Sequence, residues 1–192
     1  MIDITENIIP IPPTATALGF FDGLHLGHMK VVEECFRHDG LCPAMFTFHS
    51  DTALPKREKI ENLLTNEMKL EKLAEAGVKY IYSPDFNSVC NYTARDFIEK
   101  VLVRIMNAKV VVCGFDFRLG AGGGSNADEL KKMCREYGIE VVIIPPFSLD
   151  GCVVHSTAIK NLIKSGEIAK ANKLLGYDFS IEGKVIEGNR IG

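Results

Sequence analysis

Five short apolar runs, each followed by a helix-like stretch, constrain what this chain can fold into more than any other feature. The runs are Ala15–Phe21, Cys42–Phe48, Val78–Tyr82, Lys109–Cys113 and Glu140–Ile144. Their β-branched and aromatic content fits buried strands. Helical patterns lie between them. Leu26–Arg37 follows the first strand, and Glu67–Ala76 has Asn66 as N-cap and Gly77 as C-cap. Thr93–Met106 opens on the capping-box-like Thr93-x-x-Asp96, and Asp128–Tyr137 follows Asn126 and ends at Gly138. Strand alternating with helix predicts an α/β fold built on a doubly wound parallel sheet. In such sheets ligands bind beyond the carboxyl ends of the strands, so the residues just after each strand are the candidates for chemistry. Two short helices are expected near Ser156–Lys164 and Glu167–Leu175, and Phe179–Gly192 reads as one β-strand and a turn.

Bulk properties narrow the partners. A chain of 192 residues suits one full domain with room for a fragment of a second, and 46% hydrophobic residues suffice for a core. With a net charge of −3 there is no global basic field, so no nucleic-acid partner is expected, and an anionic ligand must be held by a local cluster of donors. The six cysteines form no C-x-x-C pair and are read as small buried hydrophobes in a reducing cytosol. Met1 to Pro13 lacks a basic region followed by an apolar run, and no stretch approaches the ~18–20 apolar residues of a membrane helix. A cytoplasmic protein without membrane partners is expected.

The segment Gly19-Phe20-Phe21-Asp22-Gly23-Leu-His25-Leu-Gly27-His28 falls at the first strand-to-helix turn. Its glycines permit a tight turn and close approach of backbone to a ligand. The helix that follows offers free N–H groups and a positive dipole end to phosphate. Two histidines three apart on that first turn point to one side, where they can donate to phosphate oxygens as charge builds in a transition state. Zinc would need about four ligands, and no second pair at metal spacing occurs, so no resident metal is expected. Asp22 reads equally as a helix N-cap or turn residue and as a direct ligand.

These residues resemble the signature of the nucleotidyltransferase superfamily with an H-x-G-H site. Within it, the chain is similar to the N-terminal FMN adenylyltransferase (FAD synthetase) module of bacterial bifunctional riboflavin kinase/FAD synthetases. Further stretches carry the resemblance: Leu64-Thr65…Lys69…Leu73…Gly77-Val78, Phe97-Ile98…Leu102, Val111-Val112-Cys113-Gly114-Phe115-Asp116-Phe117-Arg118-Leu119-Gly120, Val154-His155-Ser156-Thr157-Ala158-Ile159-Lys160, and Gly166…Ala171…Leu175-Gly176. The resemblance implies a Rossmann-like nucleotidyltransferase fold and the reaction of ATP with FMN to give FAD and pyrophosphate, with Mg2+ arriving on the triphosphate. It implies that His25 and His28 contact the ATP phosphates and stabilise the pentavalent α-phosphorus. Ser156, Thr157 and Lys160 would hold the leaving pyrophosphate, and Gly19, Phe20, Phe21, Asp22, Gly23 and Gly27 would line the ATP phosphate site. Asp116, Phe117 and Arg118, with Phe48 and His49, would face FMN or the phosphates.

The chain departs from the family pattern at three places. Phe46-Thr-Phe48-His49-Ser50 stands where the family has F-x-P-H-P, His155 replaces a serine, and Lys160 replaces an arginine. Lysine keeps the charge but loses the bidentate fork. Several alternatives stay open at the level of sequence. Ser156 also reads as the N-cap of its helix, and Asp116 and Arg118 as a simple surface pair. The glycine run 120–126 lacks the G-K-[ST] of a P-loop and reads as a loop closing over ligand or as a plain connection.

The resemblance divides the chain into a nucleotidyltransferase domain, 1–177, and the start of a riboflavin kinase-like β-barrel, 178–192. The P-T-A-N motif of that kinase is absent from this sequence, so kinase activity is not expected of it, and FMN would come from a kinase domain or a separate kinase. Two competing functions remain: a nucleotidyltransferase with another phosphate acceptor, and a weakly active nucleotide- or flavin-binding regulatory module.

Overall fold

The computed structural model describes residues 1–49 and 62–182. In chain order its elements are β1 (Ile2–Asp3), β2 (Thr14–Leu18), α1 (Leu26–Cys35), β3 (Cys42–Phe46), α2 (Asn66–Glu75), β4 (Tyr80–Tyr82), α3 (Phe86–Val89) and α4 (Ala94–Asp96). There follow β5 (Ala108–Gly114), β6 (Arg118–Leu119), β7 (Ser125–Asn126), α5 (Ala127–Cys134), β8 (Glu140–Ile144), β9 (Ser148–Leu149), β10 (Cys152–Val153), α6 (Ser156–Lys164) and α7 (Ile168–Leu175). Six strands make one sheet in the order β1-β4-β3-β2-β5-β8, every pairing parallel. The chain leaves β2 toward β3 on one side and later returns to β5 on the other. Their carboxyl ends therefore flank the crevice where such sheets take ligands.

Period-two alternation puts successive side chains on opposite faces. Ala15, Ala17, Val110 and Val112 pack with Val31, Val32 and Cys35 of α1 and Leu73 of α2. Leu18, Val111 and Cys113 pack on the other face with Ile98, Val101, Leu102 and Leu130. Each fully buried side chain of this size contributes roughly 1.5–3 kcal/mol. Thr14 and Thr16 are buried in the middle of the sheet, where a hydroxyl must find a partner. Thr14 Oγ1 donates to Met106 O and accepts from Thr16 Oγ1, both at 2.7 Å, which ties β2 to the helix end before β5. Burial holds the Cys35, Cys113 and Cys134 thiols up at about 12, so they stay protonated and inert.

The expected central strands are present, with several boundaries moved. The first strand stops at Leu18 rather than Phe21, because Phe21 has φ of 53° and leaves the extended region. Thr65, not Asn66, caps α2, its side chain accepting from Met68 N–H. The capping boxes Thr93/Asp96 and Asn126/Glu129 both form. Beyond α4 the helix continues over Phe97–Ile105 with wider turns, and Met106 N–H donates to Val101 O five residues back. The N-cap of α6 is His155, not Ser156: its Nδ1 accepts from Ala158 N–H at 3.2 Å. The glycine run is the tip of the β6–β7 hairpin. Of the cysteines, Cys42 and Cys90 are half-buried and Cys152 is exposed, so the buried reading holds for three of six. Of the strand and turn expected over Phe179–Gly192, residues 179–182 form no strand, and the rest, like Ser50, lies outside the described residues. No helix among the described residues is long and apolar enough to cross a membrane.

Candidate active site

The turn after β2 is contorted. Phe21 (φ 53°), Gly23 (φ 86°) and Leu24 (φ 38°) all lie in the left-handed region, which costs non-glycine residues about 1–3 kcal/mol each. Such a turn persists only if its surroundings hold it, and the groups that do so come from far along the chain. Thr47 Oγ1 donates to Phe20 O at 3.0 Å, Leu63 N–H to Asp22 Oδ1 at 2.8 Å, and Ser156 Oγ to Asp22 O at 2.8 Å. Lys160 Nζ pairs with Asp22 Oδ2, with both side chains largely buried. Asp22 is thus not the helix cap but the hub of the turn, and it also lines the cleft described below.

His25 is the N-cap of α1: its Nδ1 accepts from His28 N–H at 3.2 Å. That bond fixes the tautomer, since a neutral ring whose Nδ1 accepts carries its proton on Nε2. Nε2–H is therefore the group His25 can offer to a ligand. The two rings are stacked, centroids 3.6 Å apart and 13° between planes, with Phe21 edge-on to His28 at 5.3 Å. Two imidazolium ions cannot share this geometry. Burial pulls His25 from 6.5 to about 4 and holds His28 well below 6.5, the neighbouring His25 and Lys69 adding to the effect. Both rings are neutral at pH 7. Gly27 leaves room for the stack, because a Cβ there would crowd the His25 ring at 3.3 Å.

A pH dependence follows. The unfolded chain binds protons on these histidines below 6.5 and the folded one does not, so stability is complete above 6.5 and falls as pH drops toward 4. His25 alone accounts for a loss on the order of 2–3 kcal/mol across that window. Calorimetric melting points of the wild type should fall more steeply between pH 7 and 4 than those of His25→Gln. Parallel slopes would mean that His25 is not held neutral by burial.

A cleft of about 1090 Å³ opens over this turn. It brings together Gly19, Phe20, Phe21, Asp22, His25, Gly27 and His28 with His155, Ser156 and Thr157 at the start of α6, so two helix N-termini converge on one end. The other end is aromatic. Phe48 packs edge-on against Phe46 and Phe86 at 5.2 and 5.3 Å, and Phe97 does so against Phe46 at 4.9 Å. Asn87 and Asn91 add polar groups there, while Asp116, Phe117 and Arg118 follow β5 on the rim. Gly23, His49 and Lys160 do not line the cleft. Gly23 is packed behind the turn, and Lys160 is turned to Asp22 instead of into the cleft.

Sequence reading placed Lys69 in a stretch shared with the family but gave it no part in the site. It is buried, donates to Phe48 O at 2.7 Å and lies 5.4 Å from the Phe20 ring, tying the aromatic end to the histidine turn. A cation on the apolar face of α2, beside Met68 and four residues before Leu73, was the available signal.

The architecture has relatives. A family model described as FAD synthetase matches residues 10–158. The chain belongs to the FAD synthetase family. The bifunctional riboflavin kinase/FMN adenylyltransferase of Listeria monocytogenes is 34% identical over 183 residues, covering 92% of this chain and 58% of that protein. Its counterpart in Escherichia coli K12 is 33% identical over 181 residues, covering 91% and 58%. This FAD synthetase family member therefore spans about three fifths of the length of those bifunctional relatives. A Listeria monocytogenes FAD synthetase is 30% identical over 181 residues, covering 91% of this chain and 73% of that one. Among solved structures, a macrolide-efflux protein from Streptococcus pneumoniae superposes with a TM-score of 0.83 at 30% identity, over 98% of this chain and 65% of that one. Pantothenate synthetase from Thermus thermophilus (TM-score 0.55, 14% identity, 92% of this chain and 81% of that one) shares the fold alone.

Proposed function

We propose that this chain transfers the adenylyl group of ATP to FMN, producing FAD and pyrophosphate. One observation carries the reading: a single cleft joins a phosphate-binding end, made of two helix N-termini and two neutral histidines, to an aromatic end that suits a flat ring system. Its volume, about 1090 Å³, is at the upper limit of single-ligand pockets and fits two substrates side by side.

In this reaction a phosphate oxygen of FMN attacks the α-phosphorus of ATP. The bond from that phosphorus to the bridging oxygen of the β-phosphate breaks, and pyrophosphate leaves with the electron pair. A phosphate monoester has a second pKa near 6, so the nucleophile is already ionised and needs no general base. The protein's part is positioning and charge stabilisation. The neutral histidines suit that part as donors: His25 Nε2–H faces oxygens whose charge grows in the transition state. The first-turn N–H groups of α6, with Ser156 and Thr157, receive the departing pyrophosphate. Lys160 acts on them through Asp22 rather than by contact.

Magnesium would enter on the triphosphate and neutralise part of its charge. Of the two carboxylates lining the cleft among the described residues, Asp22 is committed to Lys160 and Leu63, and Asp116 faces the cavity. One carboxylate plus phosphates suits an ion that keeps most of its waters. The unpaired thiols of all six cysteines favour the reducing cytoplasm. Residues 1–177 form the nucleotidyltransferase unit, and a riboflavin kinase, fused or separate, supplies its FMN. A second reading, a weakly active regulatory module, is favoured by the engagement of Lys160 with Asp22.

The deciding experiment is a product assay with ATP, magnesium and FMN, followed by chromatography and by loss of flavin fluorescence. FAD from FMN at multiple turnovers supports the enzyme. ATP binding without FAD formation removes the FMN reading, and a single slow turnover favours the regulatory module.

A further inference from the structure

The turn that carries the histidines is gripped from behind by a second turn, whose tyrosine lies just outside the quoted motifs. This is Gly176-Tyr177, at the end of α7. Tyr177 Oη donates to Gly23 O at 2.5 Å. Gly176 has φ of 82° and caps α7, its N–H donating to Asn172 O at 2.8 Å. A Cβ on Gly176 would lie 2.6 Å from Leu26 Cδ2, so the Gly176 backbone sits directly against the Leu26 side chain. Gly23 and Leu26 bracket His25, the first two residues before it and the second directly after.

The gripping turn is itself held rigid. The Tyr177 ring packs in both the α1–α2 cluster and the α6–α7 cluster, and Lys72 Nζ lies 3.7 Å from its centroid. The Asn172 side chain accepts from Phe179 N–H at 2.9 Å and donates to Asp178 Oδ1 at 2.7 Å, closing the far side. Burial and the nearby Asp22 push the phenol up from 10, so the hydroxyl stays a donor at every working pH.

We infer that Tyr177 is a positioning residue for adenylyl transfer: it fixes the peptide plane between Gly23 and Leu24, and through it the direction of the His25 imidazole. The physical reason is specific to this turn. With Gly23 at φ 86° and Leu24 at φ 38°, the backbone has lower-energy conformations nearby, reached by rotating that peptide plane. A donor on the Gly23 carbonyl blocks the rotation. Without it, His25 keeps its chemistry but loses its aim, and a small misplacement at a reacting centre is costly in rate.

The inference rests on the adenylyl-transfer reading, and its test separates the two. Tyr177→Phe removes one oxygen and keeps the ring packing. Its kcat for FAD formation, measured well below the melting point, is expected to fall about fivefold to tenfold, the loss of about one net hydrogen bond. The KM for FMN should stay within twofold. Gly176→Ala, which sets a methyl group against Leu26, should show the same split. Tyr137→Phe, which deletes a hydroxyl bonded to Glu99 remote from the cleft, should leave kcat unchanged. A merely structural tyrosine would lower the melting point of Tyr177→Phe without lowering kcat of the folded protein, and that result overturns the inference. A second readout needs no turnover: the His25 ring nitrogen and proton resonances should shift in Tyr177→Phe and not in Tyr137→Phe. If the wild type makes no FAD, the adenylyl-transfer reading fails, and unmoved His25 resonances would dispose of the positioning role as well.

Discussion

His28→Ala is expected to lower the rate of FAD formation by roughly 100- to 1,000-fold, the range found when one preorganised donor is removed from a developing oxyanion. The ring is neutral, stacked on His25 and set at the first turn of α1, so its loss removes a donor without rearranging charge in the ground state. Stability should change little. His28 Nδ1 is buried with no hydrogen-bond partner among the described residues, so deleting the ring orphans no other group. What disappears is packing against Phe21 and His25, and a melting point within a few degrees of wild type is expected. Chromatographic initial rates at saturating ATP and FMN, paired with a melting curve, check both halves. Turnover within fivefold of wild type would displace His28 from the reaction centre.

Asp22→Ala should act through the fold as much as through the rate. Its carboxylate joins Leu63 N–H to the Lys160 ammonium in a largely buried setting, and removing it leaves both unpaired. Breaking one partner out of a buried pair costs about 3 kcal/mol or more. For a chain of this size that is a drop in melting point of roughly 6–12 °C. The double variant Asp22→Ala/Lys160→Met removes the stranded charge and should recover a substantial part of the loss while leaving the histidine turn slack and activity low. A melting point for Asp22→Ala within 2 °C of wild type would show that the pair does not hold the turn.

Much of the site was legible because its signals are local. The apolar runs marked the strands, and G-x-F-D-G-x-H-x-G-H marked the turn beside the switch point. The remainder depended on contacts between residues far apart. Lys160 reads as a phosphate ligand in isolation; its partner stands 138 residues earlier. His155 took the cap position that Ser156 suggests, since imidazole is not a usual cap and only the backbone geometry shows Nδ1 turned to Ala158 N–H. Strand β1 is two residues long and is defined by its pairing with Tyr80 and Ile81, so no periodicity could announce it. The β9–β10 hairpin did carry a local signal, Asp150-Gly151, with both residues at positive φ as a tight turn of this kind needs, and sequence reading passed over it.

The tethers of the histidine turn also set a schedule. Thr47, Leu63, Ser156, Lys160 and Tyr177 all follow it in the chain, the last by 154 residues. A ribosome releases His25 and His28 before any of these tethers, and until the tethers follow they sit on a loop with nothing to hold its unfavourable backbone. Domains emerging from the ribosome fold in order of synthesis, and contacts this distant form late. The sheet can therefore assemble before the centre does, and competence arrives with α6 and α7. Nascent chains halted before residue 156, which lack the Ser156 and Lys160 tethers as well as Tyr177, are accordingly expected to be compact but inert, which makes tight nucleotide binding a reporter of the moment at which the histidine turn is locked.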